Sequence, residues 1–479
     1  MPSRRTSMSE DLAERAPART TVGDAVRSAR AAYDSGRTRP LRWRRTQLAA
    51  LERLLAEAEE ELVAALAADL GRPAVDAWLA DLSSTAAESR HARRHLGWWA
   101  RTRVTGVPVG VVPAVGTWRP EPLGVVAIIG PWNYPVYLTL APLVAALAAG
   151  NTAVLKPSEY APATAAALER LVPRYLDPQA VTVVQGGPAE TQELIGAGVD
   201  HVFFTGSPEV GAEVMATAAR TLTPVTLELG GKSPTIVDAS ADVAVAARRV
   251  AWTKLMNSGQ TCVAPDYVLV HRDVVDAFLA GFTAAAREMR EGDLAMRVVD
   301  DRHGARVRGL LAGHGGRVVL GGDTGVTTAG AGDLAGPGVD LTVVLDPDPD
   351  SALMREEIFG PVLPVLTVDS MDEAIAFLAA RPRPLATYVF SRTRATVEAV
   401  RDRIATGGIV TNHTMFHVLV PQLPFGGIGR SGMGAYHGKW GFEALSHRRP
   451  TLVKPTWPDP SLVYPPYAES TRKLLRKIF

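Results

Sequence analysis

The chain of 479 residues is too long for one ordinary hydrophobic core, so two or more domains are expected. Hydrophobic residues make up 47% and charged residues 21%, a soluble-globular composition that excludes a disordered or fibrous chain. Lys+Arg 51 against Asp+Glu 50 leaves a net charge of +1, with no electrostatic footprint for nucleic acid or an acidic membrane.

A single cysteine excludes an internal disulfide, and no secretory signal is legible, so a reducing cytoplasm is the expected compartment. Residues 1–20 mix arginines with acidic residues and read as a frayed tail. Over 46–70, Leu48, Leu51, Leu55, Leu62 and Leu66 recur on one helical face, and Gly71 stops the pattern. His91 and His95 stand at i, i+4, a zinc-capable spacing, but two arginines between them and no third ligand favour a solvated helix face. Residues 122–155 carry no charge, a length that could imply a membrane span. Gly130, Pro131, Pro135, Pro142 and Gly150 interrupt it, which predicts a buried strand, a loop and a buried helix instead.

From Gly124 onward, short apolar strands alternate with helices. Strands are predicted at 124–129, 152–156, 181–184, 201–205 and 224–228, and helices up to Gly150 and at 161–171, 189–197 and 208–221. This pattern argues an α/β fold with a parallel sheet covered on both faces. Ligands collect beyond the carboxyl ends of such strands, where Asn133, Lys156, the Gly206-Ser207 turn and Glu228 stand. A second α/β set follows, with helices at 241–256, 274–289, 371–380 and 394–404 and strands at 266–270, 361–367, 386–390 and 408–411. A Gly/Ala-rich loop at 321–338 interrupts it, and the tail from Pro450 is proline-rich, ending basic and apolar by turns.

Several familiar chemistries are absent. No G-x-G-x-x-G follows a strand, and Gly231-Lys232-Ser233 lacks the upstream glycine of a phosphate loop, that position being Thr226. Gly429-Arg430-Ser431-Gly432-Met433 misses a nucleophile elbow at its last residue. No H-E-x-x-H or cysteine pair supports a metal. What remains is Cys262, on the polar stretch Asn257-Ser258-Gly259-Gln260-Thr261, and Glu228, which ends an apolar strand. A carboxylate buried there is costly without a task or a partner. From the residues alone, a nucleophile-plus-base pair and two structural roles both remain open.

Leu227-Glu228-Leu229-Gly230-Gly231-Lys232-Ser233 and Gly259-Gln260-Thr261-Cys262 resemble the two signature motifs of the aldehyde dehydrogenase superfamily. Further motifs match in order: Pro131-Trp132-Asn133-Tyr134-Pro135, Lys156-Pro157-Ser158-Glu159, Phe204-Thr205-Gly206-Ser207, Glu357-Ile358-Phe359-Gly360-Pro361 and Pro424-Phe425-Gly426-Gly427. Ala264-Pro265-Asp266-Tyr267 and Ser446-His447-Arg448-Arg449-Pro450 are similar to the class 3 branch, and the likeness spans about 46–467.

The resemblance implies a Rossmann-like cofactor domain over 21–228, with 413–446 returning to it, and an α/β catalytic domain over 229–412. It also implies a small oligomerisation arm from 103–120 and 447–479, and a homodimer. It makes Cys262 the nucleophile, its thiol activated by backbone N–H groups and the cofactor ring, Asn133 the oxyanion donor and Glu228 the base that hydrolyses a thioester. Lys156 and Glu159 would hold the adenosine ribose, Gly206 and Ser207 the pyrophosphate with Trp132 beside it, and Gly211 would allow close helix approach. Glu357 would bind the nicotinamide ribose, with Phe359 behind the ring. The implied cofactor is NAD, with NADP admitted, and no metal. The implied substrate is a hydrophobic aldehyde, oxidised to its acid. Glu356 reads as a helix-end charge, Lys232 as structural, His413 and His417 as funnel lining, and Tyr436-His437 as a packing element.

Two rivals stand beside this reading. A CoA-acylating relative would form the same thioester, but Glu228 speaks against it. A catalytically silent binding relative is opposed by the joint presence of Cys262, Glu228 and Asn133. The tail is too short and charged to span a membrane; a peripheral contact through Leu474, Leu475, Ile478 and Phe479 is the weaker expectation.

Overall fold

The computed structural model describes residues 20–290, 297–322 and 339–478. The predicted tail, apart from Thr20, most of the 321–338 loop and Phe479 lie outside the described residues. Among the described residues the strands form sheets of six, seven and three.

The six-stranded sheet runs Gly432–Met433, Val225–Leu229, His201–Gly206, Val125–Ile129, Thr152–Lys156, Val181–Val183. All neighbours are parallel except Gly432–Met433, which pairs antiparallel with Val225–Leu229. Every residue of Val125–Ile129 and Thr152–Lys156 is buried, as parallel strands covered on both faces require. One face packs on the apolar helix Tyr137–Ala149, the other on Val22–Asp34 and Pro208–Ala219. In chain order this sheet begins with Val125–Ile129 at its centre, and the order reverses between that strand and His201–Gly206. Such a reversal opens a crevice beyond the strand ends, where a dinucleotide fits.

The seven-stranded sheet runs Arg317–Leu320, Thr342–Leu345, Val362–Val368, Tyr267–His271, Pro234–Val237, Ala386–Phe390, Gly408–Thr411, and only its first strand is antiparallel. An interior strand of this sheet, Pro234–Val237, follows the end of Val225–Leu229 after only Gly230-Gly231-Lys232-Ser233, so the chain crosses from one sheet to the other in four residues. Arg103–Thr105, Val115–Pro122 and Ser446–Val453 make the third sheet, antiparallel throughout.

The 46–70 pattern folds as two helices, Leu41–Glu57 and Glu59–Leu70, broken at Ala58. Gly71 does end the second, in the left-handed conformation at φ 64°. His91 and His95 are half-buried, on a face only partly solvated. Their rings lie 4.3 Å apart and 5.6 and 6.0 Å from that of Trp99, because the three stand at four-residue intervals on one face of the helix Ser84–Trp99, and Trp99 packs on Phe442.

Candidate active site

The helix Val243–Leu255 ends in a turn that only a special backbone permits. Asn257, Ser258 and Gly259 are successively left-handed, at φ 48°, 55° and 71°. A Cβ on Gly259 would sit 2.4 Å from the Gly360 carbonyl oxygen, so glycine alone fits. Gln260, fully buried, locks the turn: Nε2 donates to the Asn257 and Arg297 carbonyls, both at 2.9 Å, and Oε1 accepts from Val299 N–H at 3.0 Å. The turn delivers Cys262, half-buried, to the wall of a cavity.

From the opposite sheet, the loop after Val125–Ile129 is stitched onto this turn. Asn133 Nδ2 donates to the Gln260 carbonyl at 3.1 Å, leaving its second N–H to point elsewhere. The Asn133 carbonyl accepts from Asn257 Nδ2 at 2.9 Å, and Tyr134 and Thr261 share a hydroxyl–hydroxyl bond of 2.7 Å. Two segments 124 residues apart in sequence therefore form one rigid unit.

Glu228 is 4% exposed, and neither carboxylate oxygen has a partner among the described residues. Burial holds its carboxyl well above the ordinary range. The Cys262 thiol is pushed up to about 12 by burial, then by the Glu357 and Glu228 carboxylates, against the backbone N–H groups of Cys262 and Val263. Within the protein alone this is the reverse of the activated thiol expected from the sequence, because burial, joined by two nearby acids, outweighs two N–H dipoles.

Glu357 lies so close over Gly230 that a Cβ there would stand 2.0 Å from Oε2. Burial and the Asp266 charge raise its carboxyl to about 8, against the Gly231 N–H. Arg306 holds the carbonyls of Glu357, at 3.0 Å, and Ile358. Phe359, at φ 49°, meets Trp132 edge-on at 5.3 Å, and His303 meets the same indole at 5.1 Å. Arg306 and His303 carried no signal in the sequence; the helix Asp301–Leu310 brings them in from beyond the predicted elements.

The remaining cofactor candidates ring the carboxyl edge of the six-stranded sheet. Lys156 Nζ, buried, reaches Glu159 Oε2 at 3.1 Å and the Gly186 carbonyl at 2.7 Å. Ser207 caps the helix Pro208–Ala219, accepting from Val210 N–H. A Cβ on Gly206 would meet the Phe204 ring at 2.4 Å, and one on Gly211 would meet Leu229 Cδ2 at 2.6 Å. A paired cation and acid, a capped helix N-terminus and a second acid over a Gly-Gly step match two ribose diols and a pyrophosphate. The residues present fit a nicotinamide dinucleotide.

The other expectations divide. Glu356 is an exposed helix-end charge, and Lys232 Nζ is tied to Asp266 and to the carbonyls of Leu353 and Glu356, at 2.9 and 2.7 Å. Tyr436 and His437 are more than packing, since both line the cavity beside Cys262. His413 stacks on Phe416 at 3.7 Å. His417 is held neutral by burial, its pKa lowered to about 4. The cavity, about 920 Å³ with its mouth, is walled by Tyr134, Tyr137, Trp252, Met256, Phe416 and Phe425 among others.

The sequence profile described as the aldehyde dehydrogenase family matches residues 10–450. The chain belongs to the aldehyde dehydrogenase family. It is 43% identical over 448 residues to mouse aldehyde dehydrogenase family 3 member A2, covering 92% of this chain and 90% of that one. It is 42% identical over 446 residues to the rat aldehyde dehydrogenase named dimeric and NADP-preferring, covering 91% and 95%. The structure described as the substrate-bound state of Staphylococcus aureus AldH superposes with a TM-score of 0.90 at 38% identity, over 96% of this chain and 99% of that one. The protein is thus an NAD(P)-dependent aldehyde dehydrogenase.

Proposed function

We propose that this aldehyde dehydrogenase oxidises hydrophobic aldehydes, aromatic or medium- to long-chain aliphatic, with Cys262 as nucleophile, Asn133 as oxyanion donor and Glu228 as hydrolytic base. The observation that carries the substrate class is the cavity, whose wall of aromatic and aliphatic side chains ends on the only cysteine of the chain.

The Cys262 thiol gives its proton to water and Sγ adds to the aldehyde carbon, the C=O π pair moving to oxygen to give a tetrahedral thiohemiacetal anion. Its oxyanion meets the free Asn133 side-chain N–H and the Cys262 backbone N–H, and one such donor lowers the barrier by about 3–4 kcal/mol. Bound NAD(P) supplies the acceptor for the hydride that the adduct sheds. A thioester remains on Sγ. Glu228 then takes a proton from water, whose oxygen attacks the thioester carbon and expels the thiolate, releasing the carboxylic acid. Glu228 has no ion-pair partner to compete for that proton among the described residues, and burial, which raises its carboxyl above the ordinary range, makes its carboxylate a stronger base once ionised. Lys156, Glu159, Gly206, Ser207, Trp132, Gly211, Glu357 and Phe359 hold the cofactor, NAD above NADP because the Glu159 carboxylate opposes a 2′-phosphate.

The division into a cofactor domain over 21–228 with 413–446, a catalytic domain over 229–412 and an arm belongs to the same reading. Dimerisation is supported by the arm, which leaves Val104, Val112, Val115, Leu452 and Val453 exposed at 54% or more. The proposed setting is cytoplasmic, with a peripheral membrane contact as a lesser element. The deciding experiment follows reduced-nicotinamide absorbance with aromatic and aliphatic aldehydes and both cofactors. Activity that prefers short polar aldehydes, or that survives Cys262→Ala, overturns the proposal.

A further inference from the structure

Arg72 follows the left-handed Gly71 and is 5% exposed, yet it carries a full positive charge at the cavity wall. Its Nη1 pairs with Asp81, and its Nη2 donates to the Asn133 carbonyl. The guanidinium also lies 4.4 Å from the Tyr134 ring centroid. Asp81 is fully buried on the π-helical turn Trp78–Ser83, a rare geometry that re-aims one side chain out of the helix register. Its Oδ1 accepts the backbone N–H groups of Val136, at 3.1 Å, and Tyr137, at 2.9 Å.

One ion pair therefore grips the 130–137 loop twice, at Asn133 and at the step into the helix Tyr137–Ala149. Arg72 fixes the carbonyl of Asn133, while Asp81 fixes the N–H groups three and four residues later. A buried pair of this kind is poor value for stability, since desolvation offsets much of its attraction. Here its hydrogen bonds converge on the backbone that aims one amide.

We propose that Arg72 and Asp81 are positioning residues for the oxidation, holding the Asn133 side-chain N–H on the oxyanion of the Cys262 adduct. The proposal rests on the assignment of Asn133 as oxyanion donor. Neither residue touches the reacting atoms. Removing the pair should loosen Asn133 and cost about 10- to 100-fold in acylation, as a misplacement of about 1 Å does.

The test is a mutant cycle in kcat/KM, which reports the steps up to thioester formation. Arg72→Met alone strands the Asp81 charge and can unfold the protein, so the variant is Arg72→Met/Asp81→Asn, whose carboxamide oxygen still accepts both N–H groups. The four proteins are wild type, Asn133→Ala, the Arg72/Asp81 variant and their combination, each with its unfolding temperature and NAD dissociation constant. The expected result is a 10- to 100-fold loss in the Arg72/Asp81 variant, with NAD affinity kept and no further loss once Asn133 is already alanine. Additive losses, or full activity in the Arg72/Asp81 variant, overturn the proposal. Full activity in Asn133→Ala instead overturns the oxyanion assignment itself. Should the Arg72/Asp81 variant lose its fold, Arg72→Lys, which keeps the charge but not the planar fork whose two nitrogens span Asp81 and the Asn133 carbonyl, is read against the same cycle with the same outcomes.

Discussion

At the scale of single residues, the site is a set of acids and one thiol pushed away from ionisation. Cys262→Ala should abolish aldehyde-dependent NAD(P) reduction while leaving the fold unchanged, as circular dichroism and activity will show together. Glu228→Gln keeps the shape but not the base. It should give one burst of reduced cofactor per active site and then stall, its steady-state rate lowered about 10²- to 10⁴-fold. An undiminished steady state would place the base elsewhere. Glu357 makes a pH prediction. Its folded pKa, about 8, lies above its ordinary 4.5, so between those values the folded protein holds a proton that the unfolded chain has lost. Stability from this group is complete below pH 4.5 and falls as pH rises towards about 8. Denaturant titrations of Glu357→Gln should be flatter than wild type across that window, and parallel curves would show that the carboxyl ionises normally.

Elements matter here through the backbones they force. The turn between Val243–Leu255 and Cys262 places three consecutive residues in left-handed space, and Gly259 packs on the backbone of Gly360, which cannot retreat like a side chain. Gly259→Ala should cost about 3 kcal/mol of stability from φ strain and this clash. It should also lower kcat, because Gln260 and Cys262 hang on the same turn. A variant with wild-type unfolding midpoint would mean that the turn re-forms otherwise. The strand Pro234–Val237 makes the complementary point: its four residues offer no period to read, yet it lies inside the seven-stranded sheet, paired on both edges.

For the whole molecule, two exposed surfaces carry the proposed contacts. The arm presents Leu452 and Val453 on the strand Ser446–Val453, and Leu452→Glu/Val453→Glu should shift the protein from dimer to monomer in sedimentation. A dimer that survives both charges would move the interface off the arm. No helix among the described residues is long and apolar enough to cross a membrane. The helix Glu469–Ile478 instead sets Leu474, Leu475 and Ile478 on one face and Arg472, Lys473, Arg476 and Lys477 on the rest. Removing 469–479 should leave turnover of a soluble aldehyde unchanged and abolish sedimentation with vesicles containing anionic lipid. Equal sedimentation of the shortened chain would dismiss the contact.

The sequence by itself determined the alternation of strands and helices, since apolar runs and glycine stops are local, and it placed Cys262, Glu228 and Asn133 at the ends of elements. It also displayed the ordered motifs on which the family likeness rests. How those residues behave depends on contacts made across the fold. The high thiol comes from burial near two carboxylates that lie 34 and 95 positions away in the chain (262 − 228 and 357 − 262). Arg306 and His303 arrive on a helix with no local mark of function, and Arg72 and Asp81 carry no mark either until their ion pair closes on the Asn133 loop. Patterns of polarity record which face of an element is buried; they do not record which two buried faces meet, and electrostatics depends on that meeting.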